Sequence, residues 1–384
     1  MGRLSVEPSA TYSHCVIKYL GSKRLLVPAL GEIASAVEAR TAVDLFTGTT
    51  RVAQELKRRG IHATATDLAS YSEVLSDCYV ATDGDTVDRD DLAAELARLD
   101  ALPGTPGYVT RTFCEEARYF QPHNGARIDA IRDEIDRAHP DGPLRAVLLT
   151  SLMLAADRVD STTGLQMAYL KQWSARSHQS LELRAPELLP GPGRTVRGDA
   201  MLTVDHLEPV DLMYVDPPYN QHRYFTNYHV WETLVRWDEP EHYGVACKRV
   251  DARDDATTRS VFNSKQQMPA AMADLVARAR ADLLVVSYND ESWIGVDDMV
   301  AALWATGRES VEVIAFDTKR YVGAQIGIHS PAGVKVGEVK RLRNVEYLFL
   351  AGDRERVEAA RRASGGVSDP RRAPRRGSPR PAPR

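Results

Sequence analysis

Cysteine is scarce in this chain: Cys15, Cys78, Cys114 and Cys247 stand far apart among 384 residues and form no CxxC pair. A disulfide framework and a structural metal site are therefore not expected, and a reducing cytoplasm fits this usage. Long apolar runs are missing as well. No stretch approaches the roughly 20 residues that cross a bilayer, and the N-terminus lacks a secretory pattern, so no membrane partner is expected. Neither GxGxxG nor GxxxxGK[ST] occurs, which argues against the dinucleotide fingerprint and the P-loop. Internal repeats are absent. What remains is an ordinary globular composition, 43% apolar and 27% charged, on a chain long enough for one large domain with an insertion or for two domains.

The net charge of −4 conceals an asymmetry. The last fifteen residues, "PRRAPRRGSPRPAPR", hold six arginines and no acid, leaving 43 basic against 53 acidic residues before them. Such a tail cannot build a core and is expected to be disordered over 353–384. A cationic arm suits a polyanionic partner, and equally serves as a solubilising tail.

Seven short apolar runs read as strands: 41–46, 62–67, 194–199, 211–216, 282–288, 311–316 and 345–350. Helical patterns at 22–39, 50–60, 268–281 and 297–307 alternate with them, which predicts a doubly wound parallel sheet. The last two strands have no helix between them and are expected to close the sheet as an antiparallel pair. Residues 68–193 carry mainly helical patterns and are too long for a connection, so they read as an inserted subdomain.

Four places carry chemistry. In "VDLFTGTTRVA" a strand ends at Asp44, a turn contains Gly48, and Thr49 or Thr50 is placed to cap the next helix. Ligands of doubly wound sheets bind at such strand ends, and glycine permits close approach. The second strand ends in Asp67, where an acid takes the hydroxyls of a ribose or caps a helix. In "KYLGSKR", Gly21 lets the chain turn, Tyr19 can lie flat on a ligand ring, and Lys23 can meet a carboxylate.

The fourth place is "DPPY", residues 216–219. Read plainly, two prolines stop a strand. Yet neither proline has an N–H to compete for a substrate, so the Asp216 carboxylate and the Pro217 carbonyl become two acceptors of fixed geometry. An exocyclic amine on a nucleobase offers two N–H donors to such a pair. Pro218 stiffens the loop, and Tyr219 offers a face for the base, a stack worth about 1–3 kcal/mol.

In order, "KYLGSK", "DLFTGTT", Asp67, "RGDA" and "DPPYN" resemble the D12-class adenine-specific DNA methyltransferases. "QHRYFTNYHVWETL", "VSYNDE" and "QIGIHSPAGVKVGEVKRLRNVEYLFL" look like further segments of that family, so the resemblance spans about 15–352. It implies an α/β, Rossmann-like seven-stranded S-adenosylmethionine methyltransferase fold. Residues 15–67 and 194–352 would form the catalytic domain, and 68–193 a helical target-recognition subdomain. Tyr19, Gly21 and Lys23 match the N-terminal cofactor loop. Asp44, Phe46 and Gly48 match the first cofactor motif, with Thr47 and Thr49 where many relatives have Gly or Ser. Asp67 matches the ribose-binding acid, Asp199 the acid near the cofactor's adenine, and Asp216, Pro217, Pro218 and Tyr219 the catalytic motif.

The implied reaction moves a methyl group from S-adenosylmethionine to N6 of an adenine flipped out of double-stranded DNA, without a metal. N4 of cytosine is the nearest alternative amine, and an inactive DNA-binding subunit of the same fold is the alternative of a different class. A basic groove for DNA would draw on Arg223, Lys319, Arg320, Lys340, Arg341 and Arg343, which read equally as a solvated hairpin face. Nothing in the sequence sets an oligomeric state, and a monomer is the simplest expectation.

Overall fold

The computed structural model describes residues 17–19, 23, 25–218, 224–290, 292–319 and 343–368. Each of the seven anticipated runs forms a strand: β1 Thr41–Asp44, β2 His62–Asp67, β3 Arg194–Arg197, β4 Val210–Val215, β5 Ala281–Asn289, β6 Ser310–Lys319 and β7 Arg343–Gly352. A two-residue strand, β8 Val367–Ser368, adds an eighth. The sheet order is β8-β6-β7-β5-β4-β1-β2-β3. Strands β5, β4, β1, β2 and β3 run parallel, while β7 lies antiparallel to both β5 and β6. The chain builds outward from β1 to β2 and β3, then returns to β1's other side as β4. The strand order therefore reverses between β1 and β4, and the crevice beyond their carboxyl ends is the expected ligand position.

Strand alternation divides the core. Ala42, Leu212, Val285 and Leu350 face one layer, where α1 Val27–Ala36, α2 Arg51–Arg58, α3 Ser70–Ser76 and α10 Arg354–Ala363 pack. Val43, Met213, Val286 and Phe349 face the other, covered by α8 Met268–Arg278 and α9 Val296–Ala305. Each such Val, Leu or Phe contributes about 1.5–3 kcal/mol by leaving water.

The long insertion is helical, with α4 Arg89–Asp100, α5 Pro122–Ala138 and α6 Pro143–Val159. It has no separate core. Leu99, Phe113, Ile131 and Leu152 belong to the same buried cluster as Ala63 and Leu283 of the sheet. Helix α3 packs on β2 and β3 as well as on α6 and on α7 His229–Arg236, so the insertion grows out of the sheet's own helical layer.

The expected disorder of 353–384 is corrected in its first half. Residues Arg354–Ala363 form α10, capped by the Asp353 carboxylate, which accepts from Arg356 N at 2.8 Å. Val357 and Ala360, one turn apart, are buried toward α1, and β8 then pairs with β6. The charged run "RERVEAARR" hides that narrow apolar stripe. The arginine-rich residues 369–384 lie outside the described residues. Among the described residues, no helix is long and apolar enough to cross a membrane.

Candidate active site

A pocket opens at the carboxyl ends of β1, β2 and β4, where the strand order reverses. It gathers Tyr19, Lys23, Asp44, Phe46, Gly48, Asp67, Asp199, Asp216 and Pro218 from stretches nearly 200 residues apart. Pro217 is buried and stands outside the lining set. Gly21 and Tyr219 lie outside the described residues.

Asp44 ends β1 and is 1% exposed. Its Oδ2 accepts from Thr47 Oγ1 at 2.9 Å and from Ala53 N at 3.1 Å. The expected threonine cap of α2 is thus replaced by an aspartate cap. Thr50 holds a left-handed φ of 65° and makes no side-chain cap bond; its hydroxyl donates to Thr49 O and accepts from Gln54 Nε2. Asp44 Oδ1 is buried with no hydrogen-bond partner among the described residues. Burial pushes this carboxyl up to about 7, with the Thr47 hydrogen bond opposing and the charge of Asp216 adding to the rise.

Asp67 ends β2 and closes the glycine turn. Its Oδ2 accepts from Gly48 N at 2.9 Å and its Oδ1 from Ala69 N at 3.0 Å. Gly48 has φ +52°, and a Cβ built there would lie 3.2 Å from the Tyr19 ring. Tyr19 stacks near-parallel on Tyr224 and Tyr228, with centroids 5.2 and 4.6 Å away. Lys18, next to Tyr19, is tied to the end of α6: its N–H donates to Asp157 Oδ2 at 3.2 Å and its Nζ to Asp160 Oδ1 at 2.9 Å. Asp199 caps the short helical turn 200–203 through Met201 N at 2.7 Å and lines the pocket beside Gly198 and Ala200.

Asp216 follows β4 directly. Its Oδ1 accepts from Ser287 Oγ at 2.7 Å and pairs with Lys23 Nζ at 3.2 Å. Burial raises its pKa, against the lowering effect of Lys23 and Ser287. The pocket wall also includes Arg51, Tyr224 and Phe225, which fall within quoted stretches without a role assigned, and Thr258, Ser260, Phe262 and Asn263 from an irregular stretch that no motif covers. Phe262 meets Phe46 edge-on, with ring centroids 5.3 Å apart. The only available signal for this stretch was negative, a polar segment with no periodicity between β4 and α8.

This arrangement of carboxylates around a glycine turn, beside a DPP sequence at the strand switch, agrees with the comparisons. The family model for D12 class N6 adenine-specific DNA methyltransferases matches residues 19–302. The chain belongs to that family. Among its curated relatives, a modification methylase, StsI, of Streptococcus sanguinis is 28% identical over 75% of the chain and 46% of its own length. A type II methyltransferase, M.NlaIII, of Neisseria lactamica is 28% identical over 73% of the chain and 85% of its own length. The type II methyltransferase M.CviAII of Paramecium bursaria Chlorella virus 1 is 29% identical over 79% and 92%. The chain thus spans about half of the first of these relatives and most of the other two.

The basic set Arg223, Arg320, Lys340 and Arg341 lies outside the described residues, as do the side chains of Lys319 and Arg343. Away from the pocket, Glu116, His242 and Cys247 bring metal-ligand atoms within 4.8 Å of one another, a cluster that widely spaced cysteines could not announce.

Proposed function

We propose that the protein is an S-adenosylmethionine-dependent DNA methyltransferase that modifies N6 of adenine. The observation that carries this reading is the shared wall: the Asp216 carboxylate stands on the same pocket as Asp44, Gly48 and Asp67, at the strand switch. The donor's features fit the residues present. Asp44 Oδ1 is an unfilled buried acceptor suited to the ammonium of an amino acid moiety. Asp67 suits vicinal hydroxyls, and Phe46, Asp199 and Phe262 bound space for a flat base. When bound, S-adenosylmethionine supplies an electrophilic methyl group on a sulfonium.

The protein's part is then alignment. Asp216 and the Pro217 carbonyl accept the two hydrogens of an exocyclic amine and turn its lone pair toward the methyl group. Tyr219 provides a stacking face. The amine reaches this depth only if its nucleotide leaves the duplex. Double-stranded DNA is therefore the partner, and residues 68–193 are the candidates for reading its sequence. The names of the relatives support a modification role of the restriction–modification kind.

The test is transfer of labelled methyl from S-adenosylmethionine to duplex DNA, followed by nucleoside digestion. N6-methyladenine is expected. Asp216→Ala should slow transfer by about 10²–10³-fold, the scale of removing one preorganised polar contact to the reacting group. N4-methylcytosine would overturn the choice of base, and failure of the donor to bind in calorimetry would overturn the enzyme reading itself.

A further inference from the structure

The Asp216 carboxylate is held by partners far from it in sequence. Ser287, on β5, donates to Oδ1 and itself accepts from Tyr214 OH at 2.8 Å. Lys23 meets the same Oδ1, but its ammonium is divided: Nζ also lies 3.1 Å from Glu346 Oε2. Glu346 reaches this point because β7 pairs antiparallel with β5, which sets Glu346 opposite Asn289 at the strand's carboxyl end. Side-chain exposures of 8% for Lys23, 15% for Asp216 and 16% for Glu346 place all three where charges act strongly on one another. Both the Ser287 hydrogen bond and the Lys23 ion pair fall on Oδ1.

We infer that Glu346 is a positioning residue for methyl transfer, sharing the Lys23 ammonium so that Asp216 stays basic enough to take the amine's proton. This rests on the methyltransferase reading above. In the step concerned, the methylated amine is cationic. Its N–H bond breaks, the electron pair remains on nitrogen, and the proton bonds to Asp216 Oδ2, leaving a neutral secondary amine and a neutral carboxylic acid. With Lys23 engaged by Asp216 alone, the carboxylate would be overstabilised and a poor base. Glu346 draws part of that charge away, whereas the Ser287 hydroxyl stabilises the ionised form. Among the described residues, the charged and titratable groups facing Asp216 are Lys23, Glu346, Asp44 and Tyr214.

Two substitutions push in opposite directions. Glu346→Gln removes a negative charge at nearly constant shape, and Ser287→Ala removes a donor to the carboxylate. Single-turnover transfer, at saturating donor and DNA, is followed against pH. The acid limb should move down by about one pH unit in Glu346→Gln, with the rate at neutral pH about tenfold lower. In Ser287→Ala the limb should move up, and Glu346→Asp, which keeps the charge, should restore the wild-type limb. A purely structural role would lower the rate equally at every pH and leave the limbs in place, which overturns the inference. The same shifts should appear in the carbon-13 titration of the Asp216 carboxyl in the free protein, assigned by its loss in Asp216→Asn; a titration unmoved by both substitutions also overturns it. Wild-type protein inactive on DNA would instead defeat the proposed function, while the carboxyl titration would still judge Glu346.

Discussion

Asp129 in the insertion and Asp44 in the pocket are equally buried, each 1% exposed, yet their surroundings are opposite. Asp129 is saturated. Its Oδ1 accepts from Val109 N at 2.8 Å, and its Oδ2 from Gly107 N, Thr110 N and Thr110 Oγ1 at 2.8, 2.9 and 2.7 Å. Asp160, which follows α6, is similarly enclosed by Lys18, Thr162 and Arg176. Asp44 has one oxygen filled and the other empty. Asp216 concentrates its partners on a single oxygen. Burial therefore does not mark a functional acid. Nor does an unfilled acceptor alone, since Glu232 Oε1 is also buried without a hydrogen-bond donor among the described residues and does not line the pocket. Asp44 differs in that it lines the pocket, where a ligand can repay that cost.

The largest effect that would sharpen this contrast is expected in the insertion. Asp129→Ala leaves two buried backbone N–H groups and a third that is part-buried without their acceptor, so the folding free energy should fall by about 3 kcal/mol. Donor affinity, measured at a temperature where the variant is still folded, should not change. Chemical denaturation and calorimetry read the two quantities separately. Undiminished stability would show that saturation is not what Asp129 provides, and the contrast would collapse.

Asp44→Asn should behave in the opposite way. The amide keeps an acceptor for the α2 cap but loses the charge offered to an ammonium, so S-adenosylmethionine should bind about tenfold more weakly, near 1.4 kcal/mol. The pH dependence gives a second readout. Asp44 titrates near 7 when folded and near 3.8 when unfolded. Between those values the folded state binds more protons, so this group makes the free protein less stable as pH rises, and the loss is complete above about 7. Donor affinity should run the other way, rising with pH as the carboxylate forms. Thermal melts of the free protein and donor titrations from pH 5 to 8 should show both slopes in wild type, and Asp44→Asn should flatten both. A wild-type affinity that falls with pH would remove Asp44 from the ammonium's partners.

The same contrast explains what could be read from the sequence. Strand ends carry their chemistry locally: Asp44, Asp67 and Asp216 each follow an apolar run directly, so alternation and turn residues located them together with all seven long strands. The saturated acids give no such signal. Asp129 sits among alternating charges on α5, and its donors lie about 20 residues earlier in an irregular turn. Ser287 and Glu346 fall within stretches that resemble the family, but their role arises from the β4–β5 register for Ser287 and the β5–β7 register for Glu346, which sequence periodicity does not specify. Helix α10 was missed because two small apolar positions were outnumbered by arginines and glutamates. The cap expected from Thr49 or Thr50 is not made by Thr50, since nothing local announces a left-handed φ at a threonine.

The smallest expected effect belongs to the turn that joins the two pocket acids. Gly48 donates its N–H to Asp67 and accepts from Ser72 Oγ, so its backbone is fixed from both sides. Alanine at φ +52° costs about 1 kcal/mol in backbone strain, and its methyl group would press on the Tyr19 ring at 3.2 Å. Tyr19 cannot yield freely, because it is stacked on Tyr224 and Tyr228 and its neighbour Lys18 is anchored to Asp157 and Asp160. The turn must shift instead, carrying the Asp67 acceptor with it. Gly48→Ala should therefore weaken donor binding by about fivefold, with most of its effect in donor KM rather than in the transfer rate. The double variant Gly48→Ala with Tyr19→Ala separates the two causes. Recovery of affinity on trimming Tyr19 would assign the loss to crowding at the ring. No recovery would assign it to the backbone, and would make the glycine a requirement of the turn alone.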